Sequence, residues 1–541
     1  MTRQDKMSTN VATYNERWVS GEIVSTTGEE MLNRRQFTKS LIATGTALAA
    51  GASSLNLATA QPRRGGRLRV AGHVQSAQDT LDPAKFVQST DYARGHMLYN
   101  ALTRIDGNGQ AQPELAESFE ANQDVTEWVF KLRKGVTFHD GKALGANDVI
   151  YSIMRHKDPK VASASKGLVD DLVEVTADGT DGVRVKLKSP NADIPVLLGT
   201  FGFMIVKKGT TDFSTAIGTG PFRLKEFSPG VRTVVTRNDN YFKPGRPYLD
   251  EIEYFGIADP VARLNALIAG DIDMMSDLRP NAIDEAKKAS SVEVFSTPCP
   301  RFVQFAMMCD REPTNNLDLR LAVKNMLDRE RIVKQVLNGY GVVANDHFVM
   351  PKSPVYNSSL PQRGVDIDKA KFHLKKAGME NASIELHVTD AVQNSIEMGL
   401  VLQRQAALAG LTINLKREPS DGYWSNIWIK RPFHAVVWNP RPTESLMATL
   451  IWKSDAKWND TQFKDPHLDQ LIDAARGTVD PDKRKQTFWD IQSIIYEQGG
   501  NAIPAFVNYI DAHSSKVKGL TPVPTGNLGG FNFADSVWLE S

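Results

Sequence analysis

The residues best suited to catalysis or metal binding are the ten histidines and the two cysteines, and their spacing supports neither activity. No histidine stands beside another ligand type at the spacing of a metal site. The sequence also lacks a G-x-S-x-G elbow, a G-x-x-x-x-G-K-[ST] loop and an H-E-x-x-H helix. His139 and Asp140 are adjacent, but Gly141 indicates a tight turn in which neighbouring side chains point apart. We therefore expect no catalytic residue, no metal site and no cofactor.

The two cysteines, Cys299 and Cys309, are the only thiols. An extended strand between them would separate them by about 33 Å. A disulfide requires Cα atoms about 5.5 Å apart. We therefore expect two free, buried thiols.

A group of aromatic residues late in the chain is suited to form a wall of a binding cleft, because Tyr and Trp combine a large apolar area with a polar tip. Its members are Tyr423, Trp424, Trp428, Trp438, Trp452 and Trp458. Trp424 and Trp428 are four residues apart, so they also fit one core-facing side of a helix. We expect at least one member to line a ligand site, with core packing as the alternative for each single residue.

The chain has 541 residues, which predicts two or three domains because a single core does not grow to that size. Its 64 basic and 63 acidic residues leave almost no net charge. This balance predicts neither a nucleic-acid partner nor a basic surface for membranes.

Local patterns in the sequence predict several strands in the first half of the chain and two helix starts. Alternating apolar residues predict strands at 67–71 and 127–133, the second forming a hairpin with 136–138. Asp-Pro pairs at 259–260 and 480–481 predict two helix starts, with Asp as the N-cap and Pro in the first turn.

The second half has the pattern of strand–helix units. Asp318 is predicted to cap a helix that ends at Gly339. A strand at 384–388, a helix at 393–409 and a strand at 411–415 predict a βαβ unit with parallel strands. No flexible linker separates the halves, so we expect domains interleaved by several chain crossings.

The first 60 residues have the features of an export signal. Arg34 and Arg35 match the twin-arginine pattern, and a weakly apolar stretch at 41–52 is too short to span a bilayer. Ala-Thr-Ala at 58–60 predicts cleavage after Ala60. The alternative is a basic pair before an ordinary Ala-rich helix. Because about 30 residues precede the arginines, translation beginning at Met31 also stays open. We expect a periplasmic protein exported by the twin-arginine route.

Eight short segments occur in a fixed order along the chain. They are Leu-Asp-Pro at 81–83, Leu-Tyr-Asn-Ala-Leu at 98–102, Pro-Glu-Leu-Ala-Glu-Ser at 113–118, the stretch at 128–148, Gly-Thr-Gly-Pro-Phe at 218–222, Asn-Asp-Asn-Tyr-Phe at 238–242, Ala-Gly-Asp-Ile-Asp at 269–273 and Asp-Arg-Glu at 328–330. Together they resemble the extracellular solute-binding protein family 5, the peptide- and nickel-binding group that serves ATP-binding-cassette importers.

The resemblance implies an α/β fold, the two-lobed clamp of a type II periplasmic binding protein with the three-domain architecture of family 5. Its implied domains are a signal peptide at 1–60, a discontinuous lobe-1 domain at 61–103, 221–297 and 506–541, an inserted subdomain at 104–220 and a lobe-2 domain at 298–505. Ligand would bind in a largely apolar cleft between the lobes, which close around it.

The sequence departs from the family where its peptide binders have a Trp-x-x-Asp segment whose aspartate meets the peptide ammonium. Here Trp438 is followed by Arg441, a permanent cation suited to carboxylate or phosphate. Arg441 either forms a structural ion pair with Glu444 or another acid, leaving the ammonium role to Glu444, or it binds an anionic ligand. The resemblance thus implies a ligand site that includes Arg441, Trp438, Glu444, Tyr423 and Trp424 in the second lobe and Tyr99 and Asn100 in the first.

The implied function is that of a periplasmic solute-binding subunit for peptides. Its partners would be importer permeases and ATPases, and we expect a monomer. The alternatives are the same role for an anionic opine-like conjugate or a nickel chelate, a chaperone-like or sensory use of the clamp and, last, a periplasmic hydrolase.

Overall fold

The computed structural model describes residues 61–74 and 76–540. The predicted signal peptide, with Arg34, Arg35 and the cleavage site after Ala60, lies outside these residues. Within the described part, no helix combines the length and the apolar character that a membrane span requires.

The strands within these residues are numbered in chain order. They are β1 Arg67–Gly72, β2 Thr103–Ile105, β3 Ala111–Pro113, β4 Ala116–Ala121, β5 Glu127–Leu132, β6 Leu172–Asp178, β7 Gly182–Leu187, β8 Phe222–Ser228, β9 Arg232–Arg237, β10 Glu251–Gly256, β11 Met274–Met275, β12 Val292–Thr297, β13 Phe302–Met307, β14 Gly341–Val343, β15 Ser383–Thr389, β16 Thr412–Glu418, β17 Phe433–Trp438, β18 Asn501–Val507, β19 Tyr509–Ser514, β20 Val517–Lys518 and β21 Trp538–Leu539.

The helices are numbered in the same way. They are α1 Ser89–Leu98, α2 Ala146–Met154, α3 Ile194–Leu197, α4 Pro260–Ala269, α5 Ile283–Lys288, α6 Leu317–Met326, α7 Arg329–Arg331, α8 Ile367–Lys376, α9 Ser395–Ala409, α10 Tyr423–Asn426, α11 Glu444–Ile451, α12 Pro466–Arg476, α13 Pro481–Gln498 and α14 Asn527–Gly530.

Two larger sheets, together with the two-stranded pairs β2-β3 and β20-β21, form the part of the molecule that we call lobe 1. A mixed seven-stranded sheet has the order β12-β19-β11-β1-β10-β9-β8, with β1 parallel to both β10 and β11. An antiparallel four-stranded sheet, β4-β5-β7-β6, has its own core around Phe130, Val183 and Val185. The predicted hairpin of 127–133 with 136–138 is wrong. Strand β5 pairs with β4 and β7 instead, and Thr137 forms only an isolated bridge with Ala143.

A six-stranded sheet forms the part that we call lobe 2, in the order β14-β18-β13-β17-β15-β16. The predicted βαβ unit is confirmed, because β15 and β16 pair in parallel and α9 connects them. The predicted single helix from Asp318 to Gly339 is wrong in two respects. Asn316 is the N-cap, since its side-chain oxygen accepts the N–H groups of Asp318 and Leu319. The helix ends at Met326 and is followed by α7 and a π-helical turn, Ile332–Val336.

The chain passes between the lobes from β12 to β13 and from β18 to β19. The two crossings lie side by side, with the N–H of Val507 donating to the carbonyl of Arg301 at 2.7 Å. Both cysteines are free, as predicted, with Cys299 buried and Cys309 partly buried. The domain boundaries that the resemblance implies stay predictions.

Candidate functional site

A cavity of about 580 Å³ lies between the lobes and is lined by residues of both. Lobe 1 contributes Asn100 and Arg104, and lobe 2 contributes Phe348, Met350 and Arg441. Cavities of this size accommodate small organic ligands, and an apolar wall with few polar groups is typical of such sites. We call this cavity the cleft.

Arg441 lies in the short loop between β17 and α11. Its guanidinium carbon is 5.9 Å from the ring centre of Trp438 and 5.8 Å from that of Trp458, within the range of cation–π attraction. The nearest acceptor to its side chain is the carbonyl of the adjacent Pro440, at a long 3.5 Å. The two indoles therefore hold the guanidinium at the cleft and leave most of its donors available.

The surroundings of Arg441 contain no compensating acid within the described part of the chain, where no carboxylate forms an ion pair with it. Burial lowers the pKa of Arg441, and only the phenol groups of Tyr509 and Tyr92 act in the opposite direction. Glu444, the partner that the sequence suggested, instead accepts a hydrogen bond from the Ser353 hydroxyl at 2.6 Å. A partly buried cation of this kind is costly until an anion reaches it.

The indole of Trp438 is fixed by a hydrogen-bonded chain of buried polar side chains. Its indole N–H donates to Oδ2 of Asp460 at 2.8 Å, and Nε2 of Gln304 donates to the same oxygen at 2.8 Å. Asn501 donates to Gln304 at 2.7 Å and accepts the indole N–H of Trp452 at 3.0 Å. Burial raises the pKa of Asp460 to about 7. Trp438 itself is only 4% exposed and so supports Arg441 without lining the cleft.

Asn100 and Glu444 also line the cleft, and both have partners inside the protein. The Asn100 amide donates to Glu114 at 2.9 Å and to the Tyr241 hydroxyl at 3.2 Å. Glu114 also pairs with Lys243 at 2.7 Å. Asn100 is therefore fixed at the lobe-1 wall, and Arg441 is the predicted site residue with the greatest capacity for a new polar contact.

Besides Trp438, three other predicted site residues do not line the cleft. Tyr99 and Tyr423 are each 1% exposed, and their hydroxyl groups donate to the carbonyls of Leu81 and Ala435 in the two lobe cores. Trp424 is 43% exposed but lies outside the cleft lining and packs edge-on to its neighbours in the chain. The ligand role of these three residues stays a prediction, because the structure places none of them in the lining of this cleft.

Sequence reasoning missed the long irregular loop between β14 and α8. It carries Phe348, Met350 and Ser353 to the cleft. A segment without helical or strand periodicity gives no signal of which side chains face a cavity. The loop is fixed by Asp346, which is fully buried and accepts from Arg329 at 2.6 Å and from the N–H of Ile503 at 3.0 Å.

His139 and Asp140, which are adjacent in the sequence, have separate partners in the structure. His139 bonds to the carbonyl of Gly220 at 3.1 Å, whereas Asp140 pairs with Lys207 at 2.6 Å, so the two side chains do not form a catalytic pair. No group of three or more His, Cys, Asp or Glu side chains in the described part is arranged to hold a metal ion.

Comparisons with known proteins agree with this geometry. Residues 110–460 match the model of the bacterial extracellular solute-binding proteins, family 5. The chain is 32% identical over 340 residues to the oligopeptide-binding protein AppA of Bacillus subtilis, a match that covers 60% of each chain. It is 26% identical over 500 residues to the dipeptide-binding protein of Escherichia coli, covering 84% of this chain and 92% of that protein.

A solved structure has the same fold. It is the binding protein AgaA of A. tumefaciens R10 in complex with agropinic acid, with a TM-score of 0.69 and 21% sequence identity. The match covers 88% of this chain and 99% of that chain.

Proposed function

The chain belongs to the bacterial extracellular solute-binding proteins of family 5, and on this premise we propose that it is the solute-binding subunit of an ATP-binding-cassette importer. It captures a small solute in the cleft by closure of the lobes and delivers it to membrane permeases. In this role the protein acts as a monomer, needs no cofactor and catalyses no reaction.

The solute is a small peptide or peptide-like molecule with an anionic group that binds Arg441. The observation that carries this proposal is the guanidinium of Arg441 at the cleft, stacked near two indoles and without an acid partner. The named relatives bind peptides, and the structurally similar AgaA binds agropinic acid. An acidic peptide and an opine-like conjugate both offer the carboxylate that Arg441 needs.

Calorimetric titration tests this proposal with four probes: a neutral tripeptide, an acidic tripeptide, an opine-type amino-acid conjugate and nickel–histidine. We expect binding of an anionic probe and weaker or no binding of the neutral tripeptide. Tight binding of nickel–histidine alone would establish the chelate alternative. Binding of none of the four, together with hydrolysis of a peptide, would favour an enzyme and contradict the proposal.

We further propose that the protein reaches the periplasm by the twin-arginine route. The support is the order of Arg34, Arg35, a short apolar stretch and an Ala-Thr-Ala site in the sequence. Replacing Arg34 and Arg35 together with lysine is expected to leave the precursor in the cytoplasm, as measured by cell fractionation and immunoblotting. A matched pair, Arg63→Lys with Arg64→Lys, is expected to leave export unchanged. Normal export of the Arg34 and Arg35 double variant would refute the route.

A further inference from the structure

The lobes meet at a second place, apart from the two chain crossings. There, the region around the four-stranded sheet of lobe 1 contacts helices α11, α12 and α13 of lobe 2. The central residue is Asp193, which precedes α3 and has a side chain only 8% exposed. One of its carboxylate oxygens accepts from the Thr443 hydroxyl at 2.6 Å, and the other accepts from Nη2 of Arg484 at 2.5 Å.

Further contacts surround this carboxylate and join the same two parts of the molecule. Arg476, at the end of α12, forms an ion pair with Asp171, and its carbonyl accepts the N–H of Ala192 at 2.8 Å. Leu446 of α11 packs against the core of the four-stranded sheet. The contact therefore combines two charged pairs, a backbone hydrogen bond and an apolar side chain, all of which link one lobe to the other.

Thr443 connects this contact to the solute site. It is the N-cap of α11, since its Oγ1 accepts the N–H of Leu446 at 3.1 Å. It also lines the cleft and lies two residues after Arg441, whereas Asp193 does not line the cleft. A carboxylate of lobe 1 thus holds the end of the loop that carries Arg441.

Arg484 fixes the opposite side of the same carboxylate. Besides Asp193, its guanidinium donates to the hydroxyl of Ser445 at 2.8 Å and to the carbonyl of Thr478 at 3.2 Å. These lobe-2 contacts orient the guanidinium independently of lobe 1. Arg484 is therefore oriented by contacts within lobe 2 while it pairs with Asp193 of lobe 1.

We propose that Asp193, Thr443 and Arg484 form an interlobe latch that stabilises the closed arrangement and positions the Arg441 loop. The inference rests on the proposed function in that it assumes entry of a solute between lobes that open and close. Contacts that exist in only one of two conformations shift the population toward that conformation. Asp193 is a positioning residue, because it acts on the solute through Thr443 and the loop.

Small-angle X-ray scattering of the mature chain, dialysed and without added solute, tests the latch independently of solute binding. We expect Asp193→Ala and Arg484→Ala each to increase the radius of gyration relative to the unmodified protein. The exchanged pair, Asp193→Arg with Arg484→Asp, is expected to reverse part of that increase. Asp310→Ala, which removes an exposed ion pair with Arg311 within lobe 2, serves as the matched control and is expected to change nothing.

Circular dichroism shows whether each variant is folded, and Thr443→Ser, which keeps a hydroxyl, provides a conservative comparison that should scatter like the unmodified protein. Folded Asp193→Ala and Arg484→Ala variants with an unchanged radius of gyration would overturn the latch. If either alanine variant does not fold, Arg484→Gln takes its place, and the same two outcomes apply. Because the measurement uses no solute, a protein that binds none of the calorimetric probes would contradict the proposed function without altering this result.

Discussion

Replacing Arg441 with alanine is expected to weaken binding of an anionic solute by about 2–5 kcal/mol, the range measured when one partner of a buried, hydrogen-bonded charge pair is removed. The physical reason is that the guanidinium is already partly desolvated and lies beside two indoles, without an acid of its own. A solute carboxylate would therefore meet a preorganised donor set. Calorimetry with the anionic probe that binds the unmodified protein measures the loss.

Two further variants separate a specific contact from a general effect of charge. Arg441→Lys keeps the cation but loses the forked geometry. Its affinity for the anionic probe should therefore lie between that of the unmodified protein and that of Arg441→Ala. Lys352→Ala removes an exposed cation that also lines the cleft, and we expect it to have little effect. An Arg441→Ala protein that binds the anionic probe as tightly as the unmodified protein would place Arg441 outside the site.

Asp346→Ala is expected to lower the free energy of unfolding by about 3–5 kcal/mol, because it breaks a buried ion pair and leaves its cationic partners uncompensated. Besides Arg329 and the Ile503 N–H, Asp346 faces Arg363, whose Nε lies 2.9 Å from Oδ2 in ion-pair rather than hydrogen-bond geometry. The buried Lys324 adds positive charge nearby. Since Asp346 anchors the loop that carries Phe348 to the cleft, solute affinity should fall as well. Urea denaturation measures the stability change.

The effect of Asp346→Ala should also depend on pH. Burial alone would raise the pKa of Asp346, but Arg329 and Arg363 together lower it below its ordinary value. A carboxyl with a lowered folded-state pKa stabilises the protein above its unfolded-state pKa, about 3.9, and this contribution is lost as pH falls through the folded-state pKa. The difference between the two proteins should therefore narrow in acid. Asp310→Ala, at an exposed pair, should cost at most about 1 kcal/mol, and an equal loss in both variants would contradict a special role for Asp346.

Local signals in the sequence predicted much of the fold. Asp259 and Asp480 cap α4 and α13 as expected, because an Asp-Pro pair satisfies the first helical N–H groups and fixes the first turn within a few residues. The hairpin at 127–138 failed because the true partners of β5 lie elsewhere in the chain and no short-range pattern specifies them. Asp318 was predicted as a cap, but Asn316, two residues earlier, is the residue whose side chain accepts the first helical N–H groups.

One residue of the candidate site was predictable because it departs from the Trp-x-x-Asp segment of the family's peptide binders. Arg441 stood out for that reason, and it lies at the cleft. Tyr423 was grouped with it because it is aromatic and near in sequence, yet its ring is buried in the lobe-2 core. Phe348 reaches the cleft on an irregular loop that Asp346, two residues earlier, fixes through Arg329 and the Ile503 N–H. Such tertiary contacts leave no periodicity in the sequence.

The most direct test of the central claim is mass spectrometry of the solute that remains bound when the protein is purified from the cells that naturally produce it. The expected result is a small peptide-like molecule with at least one carboxylate or other anionic group, present in the unmodified protein and depleted in Arg441→Ala. A bound solute that carries no anionic group, or one retained equally by both proteins, would contradict the account.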